Sequence, residues 1–205
     1  PFNGFSKSIL STSFACGARN RKTTLWSARV SGERTGPGPC RRGATSAAYR
    51  QELNLASGVL GRSFNCRDRK GRESIVESRR LVHLGHPPLA AHETRITAVN
   101  WAGPLRIRSA LDGTVVNDGV DRYRQLNNRH LEPLRSGEDG GILCLLVRTS
   151  QSGLQIAQAA RTLLSCRGAD VAAARSVEAA PGFVSEEFTA DLERGATLLV
   201  EKTAA

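Results

Sequence analysis

The chain has 205 residues, a formal charge of +10 and only 5% aromatic residues. That length suffices for one substantial core, since a domain of about 150 residues hides roughly 70% of its unfolded surface, and no apolar run approaches the ~20 residues a membrane span needs. The charge is uneven: residues 1–50 hold nine Lys and Arg against the single acid Glu33, residues 51–205 hold twenty against eighteen, so +8 sits in the first quarter and the main body carries +2, too little to imply a polyanionic partner for it.

Residues 1–47 show no sustained period. The Gly-Pro-Gly-Pro run from Gly36 to Pro39, the basic residues Arg19, Arg21, Lys22, Arg41 and Arg42 and scattered Ser and Thr give no continuous apolar face, so the segment is expected to be largely disordered and foreign to the domain that follows. A shifted reading frame or a misassigned start would produce such a segment. The chain begins with Pro1 and contains no methionine, which suggests a fragment or a processed product.

From residue 48 onward the pattern becomes short strands with regular turn signals. Leu60, Phe64 and Cys66 fall on alternate positions, and Asp68-Arg69-Lys70-Gly71 supplies a hairpin loop. Residues 72–83 return, Gly85-His86-Pro87-Pro88 interrupts, and residues 89–100 form a second long extended segment. After the Gly103-Pro104 breaker, Leu105, Ile107, Ser109 and Leu111 share one face while Arg106 and Arg108 take the other, the mark of a half-buried strand. Asp112-Gly113 closes it, and residues 114–116 are expected to begin a return strand. Gly137-Glu138-Asp139-Gly140-Gly141 is read as a turn. Residues 142–147 are almost wholly apolar, which fits a strand covered on both faces. Residues 154–161 and 183–192 alternate more loosely, the Ala-rich segment 169–180 is assigned to strand by its position, and residues 196–202 form the last strand. Many strands at spacings near ten residues predict an all-β antiparallel β-sandwich.

The five cysteines form no Cys-x-x-Cys pair, so reduced, mostly buried thiols and a cytoplasmic location are expected. His83, His86 and His92 invite a metal reading. A strand following Pro87-Pro88 would point His92 away from the other two, and no metal site is assigned. Asp112, Asp118, Asp121 and Glu132 are the carboxylates that glycosidic cleavage would require, yet Asp112 and Asp118 precede glycines and belong to turns. Neither Gly-x-Ser-x-Gly nor the phosphate-binding Gly-x-x-x-x-Gly-Lys pattern occurs. The basic leader would give some salt-sensitive affinity for nucleic acid, but only Phe14 and Trp26 are available for stacking between its basic residues Lys7 and Arg42.

Residues 100–131 carry the densest mixture of turn chemistry and rare side chains. Asn100-Trp101, Ser109-Ala110-Leu111-Asp112-Gly113, Val116-Asn117, Gly119-Val120, Arg122-Tyr123-Arg124 and His130-Leu131-Glu132-Pro133 together resemble the N-terminal domain of glycoside hydrolase family 65. Tyr49-Arg50-Gln51-Glu52-Leu53-Asn54-Leu55 with Gly58-Val59-Leu60, then Arg79-Arg80-Leu81-Val82, His92-Glu93-Thr94 and Val200-Glu201-Lys202 extend the resemblance over residues 48–205. It implies a super-sandwich of the galactose mutarotase-like type, here incomplete at its N-terminus. It also implies a parent enzyme that cleaves α-linked glucose disaccharides such as maltose, trehalose or kojibiose with phosphate or water, without metal or organic cofactor. The family's general acid is a glutamate in a following (α/α)6 barrel, so no catalytic residue is assigned to this chain. The implied partners are that barrel and, in the complete enzyme, a second subunit, a disaccharide and phosphate. Arg122, Tyr123, Arg124 and His130, within residues 119–132, are the candidates for an interdomain or site-facing loop. The alternative is an independent module, either a sugar-binding sandwich or a basic nucleic-acid binder. For sugar, Trp101 and Tyr123 are the candidate aromatic platforms in the main domain.

Overall fold

The computed structural model describes residues 10–16, 45–115 and 129–205. Thirteen strands and no helix make up the described residues. They are β1 (Leu10–Cys16), β2 (Thr45–Asn54), β3 (Val59–Arg67), β4 (Glu73–Val82), β5 (Ala90–Ala98), β6 (Gly103–Asp112), β7 (Leu131–Asp139), β8 (Ile142–Thr149), β9 (Gln155–Cys166), β10 (Ala169–Asp170), β11 (Ala174–Ala180), β12 (Phe183–Leu192) and β13 (Thr197–Ala204). They form two antiparallel sheets, a small one in the order β1-β6-β12-β11 and a large one in the order β2-β3-β4-β5-β13-β9-β8-β7, with β10 appended to β9. The architecture is the expected all-β antiparallel sandwich.

Local chemistry sets the hairpins. Asp68 Oδ1 accepts the backbone N–H groups of Lys70 and Arg72 at 2.8 and 3.0 Å, closing the β3–β4 turn at Gly71. Burial opposes ionisation of Asp68, but these bonds and the Arg72 guanidinium hold its carboxyl below the usual carboxylate range. The β7–β8 turn is tighter than the sequence suggested. Residues 137–139 remain in β7, and Gly140 and Gly141, at φ 56° and 84°, make the reversal alone, as a two-residue turn with positive φ at both positions does.

The core divides into two apolar clusters. The larger unites Ile96, Trp101, Leu105, Ile107, Leu164, Phe188, Leu198 and Val200. The smaller holds Leu111, Leu143, Leu145, Val147, Ala160 and Val184. Four strands run through both, and each carries a buried polar residue in line with its core side chains where it passes from one to the other: Ser109 on β6, Glu186 on β12, Lys202 on β13 and Thr162 on β9. Ser109 lies opposite Glu186 in the small sheet, and Lys202 opposite Thr162 in the large one. The two pairs meet across the gap. Thr162 Oγ1 donates to Ser109 Oγ at 2.8 Å, and Lys202 Nζ donates to the Ala110 carbonyl at 2.8 Å. A polar seam thus crosses an otherwise apolar sandwich.

Four expectations change. Thr114 and Val115 form no return strand, because Asp112 Oδ1 accepts both the backbone N–H and the hydroxyl of Thr114, at 2.8 and 2.7 Å, and bends the chain away from a ladder. Strand β8 is covered on one face rather than two. Leu143, Leu145 and Val147 are buried, while Ile142 is exposed and Cys144 and Leu146 are half-buried, because no layer of the described chain lies over the outer side of the large sheet. Cys66 is disulfide-bonded, so the thiols are not all reduced, although Cys144 and Cys166 are free. Finally, residues 1–47 contain β1, which pairs with β6 from Leu10↔Leu111 to Cys16↔Leu105. Alternation over those seven residues is too short to stand out beside the Gly, Pro and basic residues around it.

Candidate functional site

Of the four loop candidates, Arg122, Tyr123 and Arg124 lie outside the described residues. His130 is exposed, and its carbonyl accepts the Ser150 N–H at 2.9 Å. It pins the returning end of the loop to the β8–β9 connection. The departing end is fixed more tightly. Asp112 is buried and held to Thr114 as described, and Gly113 N–H donates to the Gly182 carbonyl at 2.7 Å. A Cβ on Gly113 would come within 2.5 Å of Val147 Cγ1 and 3.3 Å of Leu145 Cδ2. Gly182, at φ +76°, packs under Pro133 and Thr114, where a Cβ would come within 2.9 Å of Pro133 Cγ and 3.0 Å of Thr114 Cγ2, and its N–H donates to Ser136 Oγ at 3.0 Å. Glycine is required at both places, by close approach at Gly113 and by backbone conformation at Gly182. The loop therefore leaves from and returns to a rigid floor where β6, β7, β8 and β12 meet.

Beside this floor stands an ionic cluster the sequence reading missed. Arg175 on β11 reaches Glu186 Oε2 at 3.0 Å and Glu138 Oε1 on β7 at 3.2 Å, tying the small sheet to the edge of the large one. Burial opposes its charge, yet the bonds to Glu186 and then Glu138 raise the guanidinium above its ordinary value. On the other side of Glu186, burial lowers the Lys202 ammonium to about 8 against the raising effect of Glu186. The signal for the seam was present in the sequence. Glu186 and Lys202 occupy positions at which strand alternation calls for apolar side chains.

The remaining chemistry-bearing residues are engaged structurally. Glu132 takes a two-point bond from Arg148, at 3.1 Å from Nε and 2.6 Å from Nη2. His83 Nδ1 accepts the His86 N–H at 2.9 Å with the rings 5.1 Å apart, while His92 sits within β5 opposite Arg80. Trp101 is no sugar platform. It is buried in the larger cluster, donates from Nε1 to Ser74 Oγ at 3.0 Å and lies beneath the Arg72 guanidinium. No helix among the described residues is long and apolar enough to cross a membrane.

Comparison with known proteins agrees with this geometry. The chain is 36% identical over 157 residues to an uncharacterized glycosyl hydrolase of Mycobacterium tuberculosis, covering 77% of this chain and 12% of that protein. It is 29% identical over 107 residues to the kojibiose phosphorylase of Halothermothrix orenii, covering 52% and 13%. The described fold superposes on a putative kojibiose phosphorylase from the human microbiome with a TM-score of 0.66 at 13% identity, over 79% of this chain and 19% of that one. The chain thus spans about one eighth of the length of the curated relatives it matches. Residues 39–205 match the glycosyl hydrolase family 65 N-terminal domain. With sandwich, relatives and matched span in accord, the chain belongs to glycosyl hydrolase family 65, whose N-terminal domain it carries.

Proposed function

We propose that this chain is a non-catalytic sandwich that packs on the (α/α)6 barrel of a family 65 enzyme and helps shape its active-site enclosure. The complete enzyme would split an α-linked glucose disaccharide with phosphate or water, assemble as a homodimer and need no metal or organic cofactor. In this reading the sandwich proper is residues 48–205, with β1 from the basic N-terminal segment added as an edge strand of its small sheet. The loop carrying Arg122, Tyr123, Arg124 and His130 faces the barrel.

The observation that carries the reading is the outer face of β8 and β9. The sequence gives β8 apolar residues on both faces, but the described chain buries only one. Ile142, Cys144 and Leu146, beside Ala157 and Ala159, present an apolar row outward. A strand with two apolar faces in a one-sided setting is suited to a covering layer from another domain. A second support is that Asp112, Glu132 and Glu138 are committed to the bonds that hold the loop floor, which leaves them unsuited to acid–base chemistry.

The test is association with a separately produced barrel of the 36%-identical relative. A one-to-one complex is expected in analytical ultracentrifugation. Leu146→Asp should weaken it at least about tenfold without lowering the melting temperature, since Leu146 is not in the inner core. Equal association of the wild type and Leu146→Asp would contradict the assignment of this face.

A further inference from the structure

Cys66 is disulfide-bonded, whereas Cys144 and Cys166 are free. The chain has five cysteines, so by elimination the partner of Cys66 is Cys16 or Cys40. Either one ties the N-terminal segment to β3. Two strands bound the described sheets on this side: β1 closes the small sheet beside β6, and β2 closes the large sheet beside β3. Cys16 is the last residue of β1, and Cys40 precedes the first residue of β2. Register brings both strands to the end of the sandwich where Cys66 lies. Thr45 pairs with Arg67, the neighbour of Cys66. Cys16 pairs with Leu105, which clusters with Trp101, and the Trp101 indole donates at 3.0 Å to the Oγ of Ser74, directly opposite Cys66.

Packing holds these edges weakly. Every residue of β2 from Ala48 to Asn54 is exposed, Ala48 takes a positive φ of 53°, and the register with β3 shifts between Ala47 and Arg50. In the described sheets β1 is paired through β6 alone. An edge strand that buries little opens at small cost in free energy, and a covalent tie close to it is its main restraint. The tie is also within reach of solvent. Cys66 is half-buried and lines a cleft of about 450 Å3 together with Arg67, Glu73, Ser74, Ile75 and Val99. The Arg67 guanidinium, 3.7 Å from Glu73, adds positive charge to a cleft where a sulfur must depart as a thiolate, which favours exchange.

We propose that the Cys66 disulfide is a redox latch: a dithiol entering this cleft opens it and frees the edge strand that it fastens. A thiolate of the dithiol attacks one sulfur of the disulfide, forming a mixed disulfide and expelling the other cysteine as a thiolate. The second thiol of the reductant then displaces the remaining protein sulfur, and the reductant leaves as its own disulfide. Two electrons pass to the protein, and the two protons of the dithiol end on the two protein thiols. The same steps run backwards close the latch. The proposal does not rest on the barrel-packing reading, since β3 and β8 stand near opposite ends of the large sheet's strand order.

The experiment is amide hydrogen exchange of the full chain, oxidised and after dithiothreitol in native buffer, with peptide mapping by mass spectrometry to identify the cysteine bonded to Cys66. With Cys16 as partner, reduction should speed exchange in β1 at least about tenfold; with Cys40, the same gain should appear in β2. Exchange in β5 and β13, inside the large sheet, should change less than about twofold. Cys66→Ser should exchange like the reduced wild type without any reductant. The oxidised and reduced wild type give the same comparison if that variant fails to fold. Val99→Trp, which narrows the cleft, should slow opening by dithiothreitol at least about fivefold. Cys66 unpaired in the oxidised chain, opening only in denaturant, a Val99→Trp bond reduced as fast as the wild type's, or equal exchange of β1 and β2 in both states would each overturn the proposal.

Discussion

At the scale of single residues, the loop floor and the seam make separable predictions. Gly113→Ala places a methyl group against Val147 and Leu145 and should cost about 1–3 kcal/mol in urea unfolding. Gly137→Ala, where a Cβ meets nothing within 4 Å, should stay within about 0.5 kcal/mol. Equal losses would mean that the floor is not closely packed. The seam, with His92 opposite its Lys202, predicts a pH dependence. Between about 4 and the ordinary 6.5, the unfolded chain binds a proton at His92 that the folded chain refuses, so stability rises with pH through that window and levels off above it. Between about 8 and 10.5 the same argument applies to Lys202. His92→Gln should flatten the acid-side slope and leave the alkaline one, as read from denaturation midpoints across pH. An unchanged acid slope in that variant would remove His92 from the account.

At the scale of elements, most strands were legible because hydrophobic alternation and turn residues speak directly about local geometry. Leu105, Ile107, Ser109 and Leu111 are buried on one face of β6 as their spacing predicts. What the sequence did not reveal depends on pairing at a distance. Ser109 and Thr162 are 53 positions apart, and Lys202 and Ala110 are 92 apart. Periodicity within one strand cannot say that polar exceptions on four strands fall at one level. Strand β8 was misjudged for a related reason, since an apolar run records what a strand is suited to contact and not whether this chain supplies the contact. The edges also differ. β7 carries Pro133 and an irregular register, and β2 a register shift after Ala47, devices that blunt an edge. β11 has every residue exposed, no proline and a regular register. It should drive self-association of the isolated chain, and Val177→Lys should raise the concentration at which association begins by roughly tenfold in light scattering. An unaltered onset would exonerate this edge.

At the scale of the whole molecule, the ordered set of motifs over residues 48–205 led to the right family, and the sandwich followed from strand spacing alone. The candidate loop was legible only in part. His130 proved to anchor backbone, while Arg122, Tyr123 and Arg124 lie outside the described residues. The loop's floor came into view only with the fold, because Gly113, Ser136 and Gly182 converge from three separate elements. The described residues form a sandwich in which Asp112, Glu132, Glu138 and Glu186 are bonded within the fold and the described chain buries only one of the two apolar faces of β8. The central claim is that chemistry resides elsewhere in the enzyme. Its most direct test is incubation of the purified chain with kojibiose, maltose and trehalose, with and without phosphate, while glucose and glucose 1-phosphate are measured. No release above the buffer control is predicted, and steady turnover abolished by one substitution within residues 48–205 would contradict it.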